Sequence, residues 1–242
     1  MRDYKKEYEE RVAFIRDLLE KSGAKGIVYG NSGGKDSALV GILCKAACDN
    51  TVGIIMPCSS KRNFGQDAED ARIAADQYGI ETRFIDLTPV REAEMRQLSS
   101  LTKVTPAAAV NIAPRLRMTT LYAVAASEGR LVAGTGNRSE AYVGYFTKWG
   151  DGASDFDVIA DLTATEVFEF LEYLNAPRCI IDKAPSAGLF DGQTDEQEMG
   201  VTYKAIDDFL LYGTVNAQDK AVIDRYHNRS EHKRKPLVTY KG

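Results

Sequence analysis

The chain has 242 residues, of which 44% are hydrophobic and 27% are charged, a composition typical of a globular protein rather than a disordered one. Its formal net charge of −4 gives no overall positive field, which argues against a nucleic acid partner. Four cysteines without a Cys-x-x-Cys pair and only two histidines argue against a zinc or iron–sulfur centre. The chain shows no signal peptide and no run of 18 apolar residues, so we expect a cytoplasmic protein without a membrane span.

The first part of the chain alternates between helical patterns and short apolar runs. The pattern predicts helices over 4–19, 36–47 and 68–78, and strands over 25–30, 51–56 and 82–87. Strands separated by helices of this length form βαβ units, which predicts a parallel sheet with helices on its faces.

The second part is richer in helices. The pattern predicts a helix over 90–98, a helix over 107–127 interrupted at Pro114, a strand over 130–133, and helices over 162–175, 195–212 and 217–230. Thr163 and Glu166 have the spacing of a capping box. The stretch Gly144–Asp157, called the glycine-rich segment below, is polar. No repeat or linker is visible, so we predict one domain over 1–242, an open, mostly parallel α/β sheet with a helical C-terminal part.

The sharpest local signal is Ser32–Ser37, called the phosphate loop below, which reads Ser-Gly-Gly-Lys-Asp-Ser between a predicted strand and a predicted helix. Its glycines let backbone N–H groups approach a ligand, and a helix N-terminus favours an anion. Asp36 would repel a phosphate unless a cation lay between them, so the loop indicates phosphate together with Mg²⁺. The alternative is a tight turn with Asp36 as an ordinary acid at the start of a helix.

The phosphate loop resembles the Ser-Gly-Gly-x-Asp-Ser loop of the N-type ATP pyrophosphatases, which cleave ATP to AMP and pyrophosphate and adenylate a substrate. The resemblance implies a Rossmann-like fold of the adenine nucleotide alpha hydrolase type. The loop by itself does not choose among the members, which include NAD synthetase, GMP synthetase, asparagine synthetase and tRNA-modifying enzymes.

Six further segments resemble NAD synthetase, in the order that this family has them. They are Asn111–Met118, Gly134–Glu140, Gly144–Gly152, Lys183–Leu189, Gly192–Glu196 and His232–Arg234. The resemblance implies an ammonia-dependent enzyme that adenylates the carboxylate of deamido-NAD with ATP and Mg²⁺ and releases pyrophosphate. Ammonia then attacks the mixed anhydride to give NAD⁺ and AMP.

The resemblance also implies roles for individual residues. The implied ATP contacts are Ser32, Gly33, Gly34, Lys35, Asp36, Ser37, Thr135 and Ser186. The implied catalytic carboxylates are Asp36 and Glu140, which would also be the protein ligands of Mg²⁺. The implied contacts to deamido-NAD are Arg115, Lys148, Asp155, His232 and Lys233.

One position departs from the family pattern. The family normally has a lysine that reaches the ATP phosphates where this chain has Ala164. Lys183 or Lys35 could supply the missing cation, and we favour Lys183 because it precedes the segment that contains Ser186. The alternative is altered nucleotide preference or reduced activity.

Two other functions compete with this interpretation. One is a different ATP pyrophosphatase that forms an amide on another acid or acts on tRNA, and the other is a nucleotide-sensing relative without turnover. Because the phosphate loop starts at Ser32, the sequence leaves no room before it for a fused glutaminase domain. Free ammonia is therefore the expected nitrogen donor, although a separate amidase stays possible. The resemblance also implies a homodimer.

Overall fold

The computed structural model describes residues 2–183 and 195–240, and it contains one five-stranded sheet in that part of the chain. The strands are β1 (Gly26–Gly30), β2 (Thr51–Ile55), β3 (Glu81–Phe84), β4 (Arg130–Gly134) and β5 (Phe156–Asp157). They lie in the order β3-β2-β1-β4-β5, and every neighbouring pair is parallel. The predicted open parallel sheet is confirmed.

Helices account for most of the remaining described residues. Those before β4 are α1 (Tyr4–Ser22), α2 (Lys35–Ala47), α3 (Lys61–Phe64), α4 (Gln66–Gln77), α5 (Thr88–Leu101), α6 (Pro106–Val110) and α7 (Ile112–Glu128). Those after β4 are α8 (Arg138–Val143), α9 (Ala164–Tyr173), α10 (Arg178–Ile181), α11 (Asp195–Met199), α12 (Tyr203–Tyr212), α13 (Ala217–Arg229) and α14 (Glu231–Arg234).

Strand β1 is buried on both faces, as its continuous apolar run predicts. Successive side chains of a strand point to opposite faces. Accordingly Ile27 and Tyr29 pack into a core with Leu39 of α2, whereas Val28 packs into a second core with Leu121 of α7. The predicted arrangement of helices on both faces is therefore confirmed.

The C-terminal helices form a core of their own. Val143 of α8, Ile206 of α12 and Ile223 of α13 are each fully buried in this cluster. The predicted capping box opens α9, because Glu166 N–H donates to Thr163 Oγ1 and Thr163 N–H donates to Glu166 Oε2. None of the helices in the described residues combines the length and apolar character that crossing a membrane requires.

Two predicted helices are divided at positions that the sequence pattern did not predict. The break in the helix over 107–127 lies at Asn111 and not at Pro114, which is the third residue of α7. Proline is tolerated there because the first N–H groups of a helix have no partner within it. The helix over 195–212 is divided at Gly200, whose φ is +73°, and α12 starts after its capping residue Thr202.

The sheet order determines where a site can form. Strands β1 and β4 are neighbours, yet β2 and β3 lie on the other side of β1, so the direction of strand addition reverses between β1 and β4. Ligands of open α/β sheets bind at such a point, outside the carboxyl ends of the strands. The phosphate loop follows β1 there, and residues Thr135–Asn137 follow β4.

Candidate active site

A cavity of about 940 Å³ lies over the carboxyl ends of β1 and β4. Its lining includes Ser32 and Gly34–Ser37 of the phosphate loop together with Thr135 and Glu140. It also includes most of the glycine-rich segment and His232 and Lys233 of the C-terminal tail. Residues predicted for the nucleotide and residues predicted for the substrate therefore line one cavity.

The phosphate loop owes its shape to a tight turn at Gly33. The φ of Gly33 is +72°, and a Cβ atom there would lie 2.1 Å from the Asp67 carbonyl oxygen. Only glycine fits such a close approach in the left-handed region. The hydroxyls of Ser32 and Ser37 lie 3.1 Å apart, and Ser37 Oγ donates to the Gly34 carbonyl. Gly33 thus faces α4, while Ser32, Gly34 and Ser37 face the cavity.

Lys183, which lies far from the phosphate loop in the sequence, binds that loop. Its Nζ donates to the Gly33 carbonyl oxygen at 2.9 Å and forms ion pairs of 2.7 Å with Asp67 and with Asp70 of α4. Asp70 is almost fully buried, so the pair is shielded from water. We infer that Lys183 holds the loop against α4.

The two predicted metal ligands come together through Asn137. The Asn137 side-chain amide donates to Asp36 Oδ1 at 3.1 Å, and its backbone N–H donates to Glu140 Oε2 at 3.2 Å. Asn137 is fully buried and caps α8, with its Oδ1 accepting from Glu140 N–H. The carboxylates therefore approach one region from two strands, as predicted.

The electrostatics of this pair are those of crowded acids. Burial, with the negative charge of Asp36 as a second cause, holds the pKa of Glu140 well above its ordinary value of 4.5. Desolvation and a like charge both disfavour the ionised carboxylate. Added positive charge would therefore stabilise the ionised form of this pair of carboxylates.

The C-terminal tail is bound to the glycine-rich segment. Lys148 Nζ donates to the His232 carbonyl oxygen at 2.7 Å. Lys233 Nζ donates to the carbonyls of Gly144 and Phe146, and burial lowers the pKa of Lys233. Three predicted substrate contacts, Lys148, His232 and Lys233, are thus close together.

Lys148 is not among the residues that line the cavity, and neither are the other two predicted substrate contacts, Arg115 and Asp155. Arg115 is exposed, and its guanidinium reaches only the Lys148 carbonyl oxygen at 3.4 Å. The Asp155 carboxylate accepts hydrogen bonds from Val132 N–H at 2.8 Å and from the Tyr122 hydroxyl at 3.2 Å. It is therefore bound to the backbone of β4. Ser186 lies outside the described residues.

Ala164, at the start of α9, is 1% exposed and belongs to the apolar core of the C-terminal helices. The hypothesis that Lys183 replaces the cation expected at this position is disfavoured. The Lys183 ammonium already faces Asp67 and Asp70, whose two negative charges exceed its own.

Several cavity residues escaped the sequence analysis. Arg117 lines the cavity and donates to the Met56 carbonyl oxygen at 3.0 Å, and burial lowers its pKa. Asp157 also lines it and accepts from Gly136 N–H at 3.0 Å, with its pKa raised to about 6 by burial. The capping-box spacing of Asn137 and Glu140 was a usable signal for Asn137, whereas no local signal marks Arg117 or Asp157.

We expect Glu140→Gln to stabilise the ligand-free, metal-free protein at pH 8 by about 1 kcal/mol. The folded pKa of Glu140 lies above the unfolded value, so ionisation costs stability once the pH rises past about 4.5. The gain should therefore shrink as the pH falls toward 4.5, as measured by urea denaturation at several pH values.

The matched control is Glu166→Gln, the same change at the same position of the other capping box. Glu166 forms an ion pair of 2.8 Å with Arg2, so its neutralisation should not stabilise the protein. A Glu140→Gln variant less stable than the parent at pH 8 would contradict the electrostatic description above.

Comparison with known proteins agrees with this geometry. The NAD synthase family matches residues 7–237. The NH₃-dependent NAD⁺ synthetase of Carboxydothermus hydrogenoformans is 46% identical over 236 residues, which cover 96% of each chain.

Two solved structures match the whole chain over their own full length. The NMN synthetase of Francisella tularensis is 40% identical with a TM-score of 0.95, and the NH₃-dependent NAD synthetase of Campylobacter jejuni is 30% identical with a TM-score of 0.81. The family resemblance predicted from the sequence is confirmed, and the chain belongs to the NAD synthase family.

Proposed function

We propose that this protein is an ammonia-dependent ligase that converts the nicotinate carboxylate of deamido-NAD into the amide of NAD⁺ and cleaves ATP to AMP and pyrophosphate. The observation that carries the proposal is the cavity itself. It is lined both by the phosphate loop with the Asp36–Glu140 pair and by His232 and Lys233 of the basic tail.

The chemistry divides into two steps. A carboxylate oxygen attacks the α-phosphorus of ATP, the bond to the β-phosphate oxygen breaks, and pyrophosphate leaves. Ammonia then attacks the acyl carbon of the mixed anhydride, AMP leaves with the electron pair of the broken bond, and a proton is released. An unactivated carboxylate is a poor electrophile, so AMP as a leaving group replaces one difficult step by two easier ones.

The residues of the loop suit the first step. The N–H groups at the start of α2 and the hydroxyls of Ser32 and Ser37 can donate to phosphate oxygens. Charge accumulates on the leaving pyrophosphate, and fixed donors are most effective where charge develops in a shielded site.

Asp36 and Glu140 fit a Mg²⁺ ion because they offer hard carboxylate oxygens beside the loop. Among the described residues, no group of three or more His, Cys, Asp or Glu side chains is arranged to hold a metal. A pair of carboxylates completed by phosphates is the usual protein environment of Mg²⁺. When bound, the ion would neutralise phosphate charge and allow the carboxylate to approach.

The tail suits the dinucleotide. Lys233 lines the cavity, and the Lys148 ammonium donates to the neighbouring His232 carbonyl oxygen, so an anionic substrate would gain from their positive charge. Arg115 and Asp155 are not part of this cluster, so their predicted contacts require a rearrangement or another subunit.

A second candidate substrate is nicotinate mononucleotide, which carries the same carboxylate. The Francisella tularensis structure named NMN synthetase has a TM-score of 0.95 to this chain, higher than the 0.81 of the Campylobacter jejuni NAD synthetase. Both candidates need the same adenylation and the same ammonia. They differ in whether the adenylate half of the dinucleotide contributes to binding.

The assay that separates the candidates measures amide formation with MgATP and ammonium for both acids. We expect deamido-NAD to give NAD⁺, AMP and pyrophosphate in equal amounts, and glutamine not to replace ammonium. A kcat/KM higher for nicotinate mononucleotide than for deamido-NAD would favour the second candidate. Pyrophosphate release with neither acid would contradict both.

We expect Asp36→Asn to lower kcat by at least about a hundredfold with little change in melting temperature, because it removes a charge that the phosphates and their cation require. The control is Asp49→Asn, after the other end of α2, which is exposed and pairs with Lys45. Near-normal turnover of Asp36→Asn would contradict the assigned role.

We also propose that the protein forms a homodimer through the surface of β3 and α5. Helix α5 has 14 residues and buries none of them, and Phe84, Val90 and Leu101 are 50%, 48% and 80% exposed. Exposed apolar surface of this kind marks interaction sites.

Light scattering after size-exclusion chromatography should give about twice the chain mass of 26.7 kDa. Val90→Asp with Leu101→Asp should give the monomer mass, whereas Tyr212→Asp, an exposed apolar position on α12, should leave the dimer intact. A monomeric parent protein would contradict the proposal. The cytoplasmic location stays a prediction.

A further inference from the structure

Lys35 is a buried lysine at the first position of α2, inside the phosphate loop. It is only 5% exposed, and its Nζ contacts Asp36 Oδ2 at 2.5 Å. Lysine is almost never buried without a partner. The Lys35 ammonium therefore faces the Asp36 carboxylate and not the solvent.

The surroundings of the Lys35 ammonium are acidic and aromatic. Its Nζ lies 5.7 Å from the ring centroids of both Phe168 and Tyr203. Burial tends to lower the pKa of Lys35, but the charges of Asp36 and then Glu140 outweigh burial and raise it. The ammonium is thus held as a cation by the same carboxylates that fit Mg²⁺.

Lys183, the other candidate cation, already pairs with Asp67 and Asp70 and donates to the Gly33 carbonyl oxygen. Among the described residues 2–183 and 195–240, Lys35 is the basic residue that forms an ion pair with Asp36. The positive charge next to this predicted metal ligand is therefore part of the phosphate loop itself.

We propose that Lys35 acts as an exchangeable internal counter-ion of the site. In the nucleotide-free protein its ammonium neutralises Asp36. When ATP enters, the ammonium turns to the phosphates and leaves Asp36 free for the divalent cation. The inference rests on the proposed use of ATP, and it means that Mg²⁺ alone binds weakly because it must displace an ammonium.

The position of Ala164 agrees with this role. Ala164 and Tyr203 belong to the same buried cluster, and the Lys35 ammonium lies against the Tyr203 ring. Helix α2, which carries Lys35, and helix α9, which starts at Ala164, pack against each other. With alanine at 164, the ammonium near the Tyr203 ring comes from α2.

The test compares Lys35→Met and Lys35→Gln with the parent protein and with Lys45→Met. Lys45 lies on the same helix, pairs with exposed Asp49 and does not line the cavity, so it controls for loss of a lysine from α2. Mg²⁺ is titrated without nucleotide, followed by melting temperature and calorimetry, and MgATP is titrated separately without the acid substrate.

We expect both neutral Lys35 variants to melt at lower temperature than the parent without Mg²⁺ and to bind Mg²⁺ about tenfold more tightly, since the competing charge is gone. We expect the same variants to bind MgATP about tenfold more weakly, since a charged contact to phosphate is lost. Neutral variants that fold only with Mg²⁺ present also support the proposal.

An Mg²⁺ affinity that is unchanged in both neutral variants, or that rises equally in Lys45→Met, would overturn the proposal. So would variants that are unfolded with and without Mg²⁺, because Lys35 would then serve the fold alone. The Mg²⁺ titration uses no substrate, so its result is separate from the outcome of the amide assay, which tests the proposed function.

Discussion

The repulsion between two carboxylates, Asp36 and Glu140, is the constraint on which the rest of the site depends. Strands β1 and β4 are adjacent and parallel, so the residues that follow them meet at one edge of the sheet. Two acids in a shielded cleft disfavour each other's ionisation. Asn137 donates to both, and Lys35 brings a positive charge to Asp36. These contacts offset part of the repulsion, and the raised pKa of Glu140 shows that the site is still deficient in positive charge.

The phosphate loop depends equally on contacts from outside itself. Gly33 comes so close to the Asp67 carbonyl that no side chain fits between the loop and α4. Lys183 then binds the Gly33 carbonyl oxygen from 150 residues away and also pairs with Asp67 and Asp70 of α4. A loop held on both sides keeps its donors aimed before the ligand arrives, which lowers the entropic cost of binding.

Much of the fold was predictable from the sequence because it depends on local patterns of residues. The alternation of apolar runs and helical patterns predicted the first four strands and the parallel sheet. The spacing of Thr163 and Glu166 predicted a cap that the structure contains. Helix boundaries were less predictable, since Pro114 lies inside the first turn of α7, where proline is tolerated. The two-residue strand β5 carries too little pattern to be recognised, and its pairing with β4 defines it.

The sequence by itself determined the family, and it predicted the phosphate loop and, through the family resemblance, the acid pair, because each resides in short segments whose residue types carry the chemistry. The tertiary structure alone decided which charges meet. It placed Arg117 and not Arg115 at the cavity, since residues two apart on a helix point to different sides. It also placed Lys183 in an ion pair with Asp70 of α4, and Lys35 in an ion pair with Asp36. Electrostatic energy depends on distance through space and on burial, and spacing along the chain determines neither.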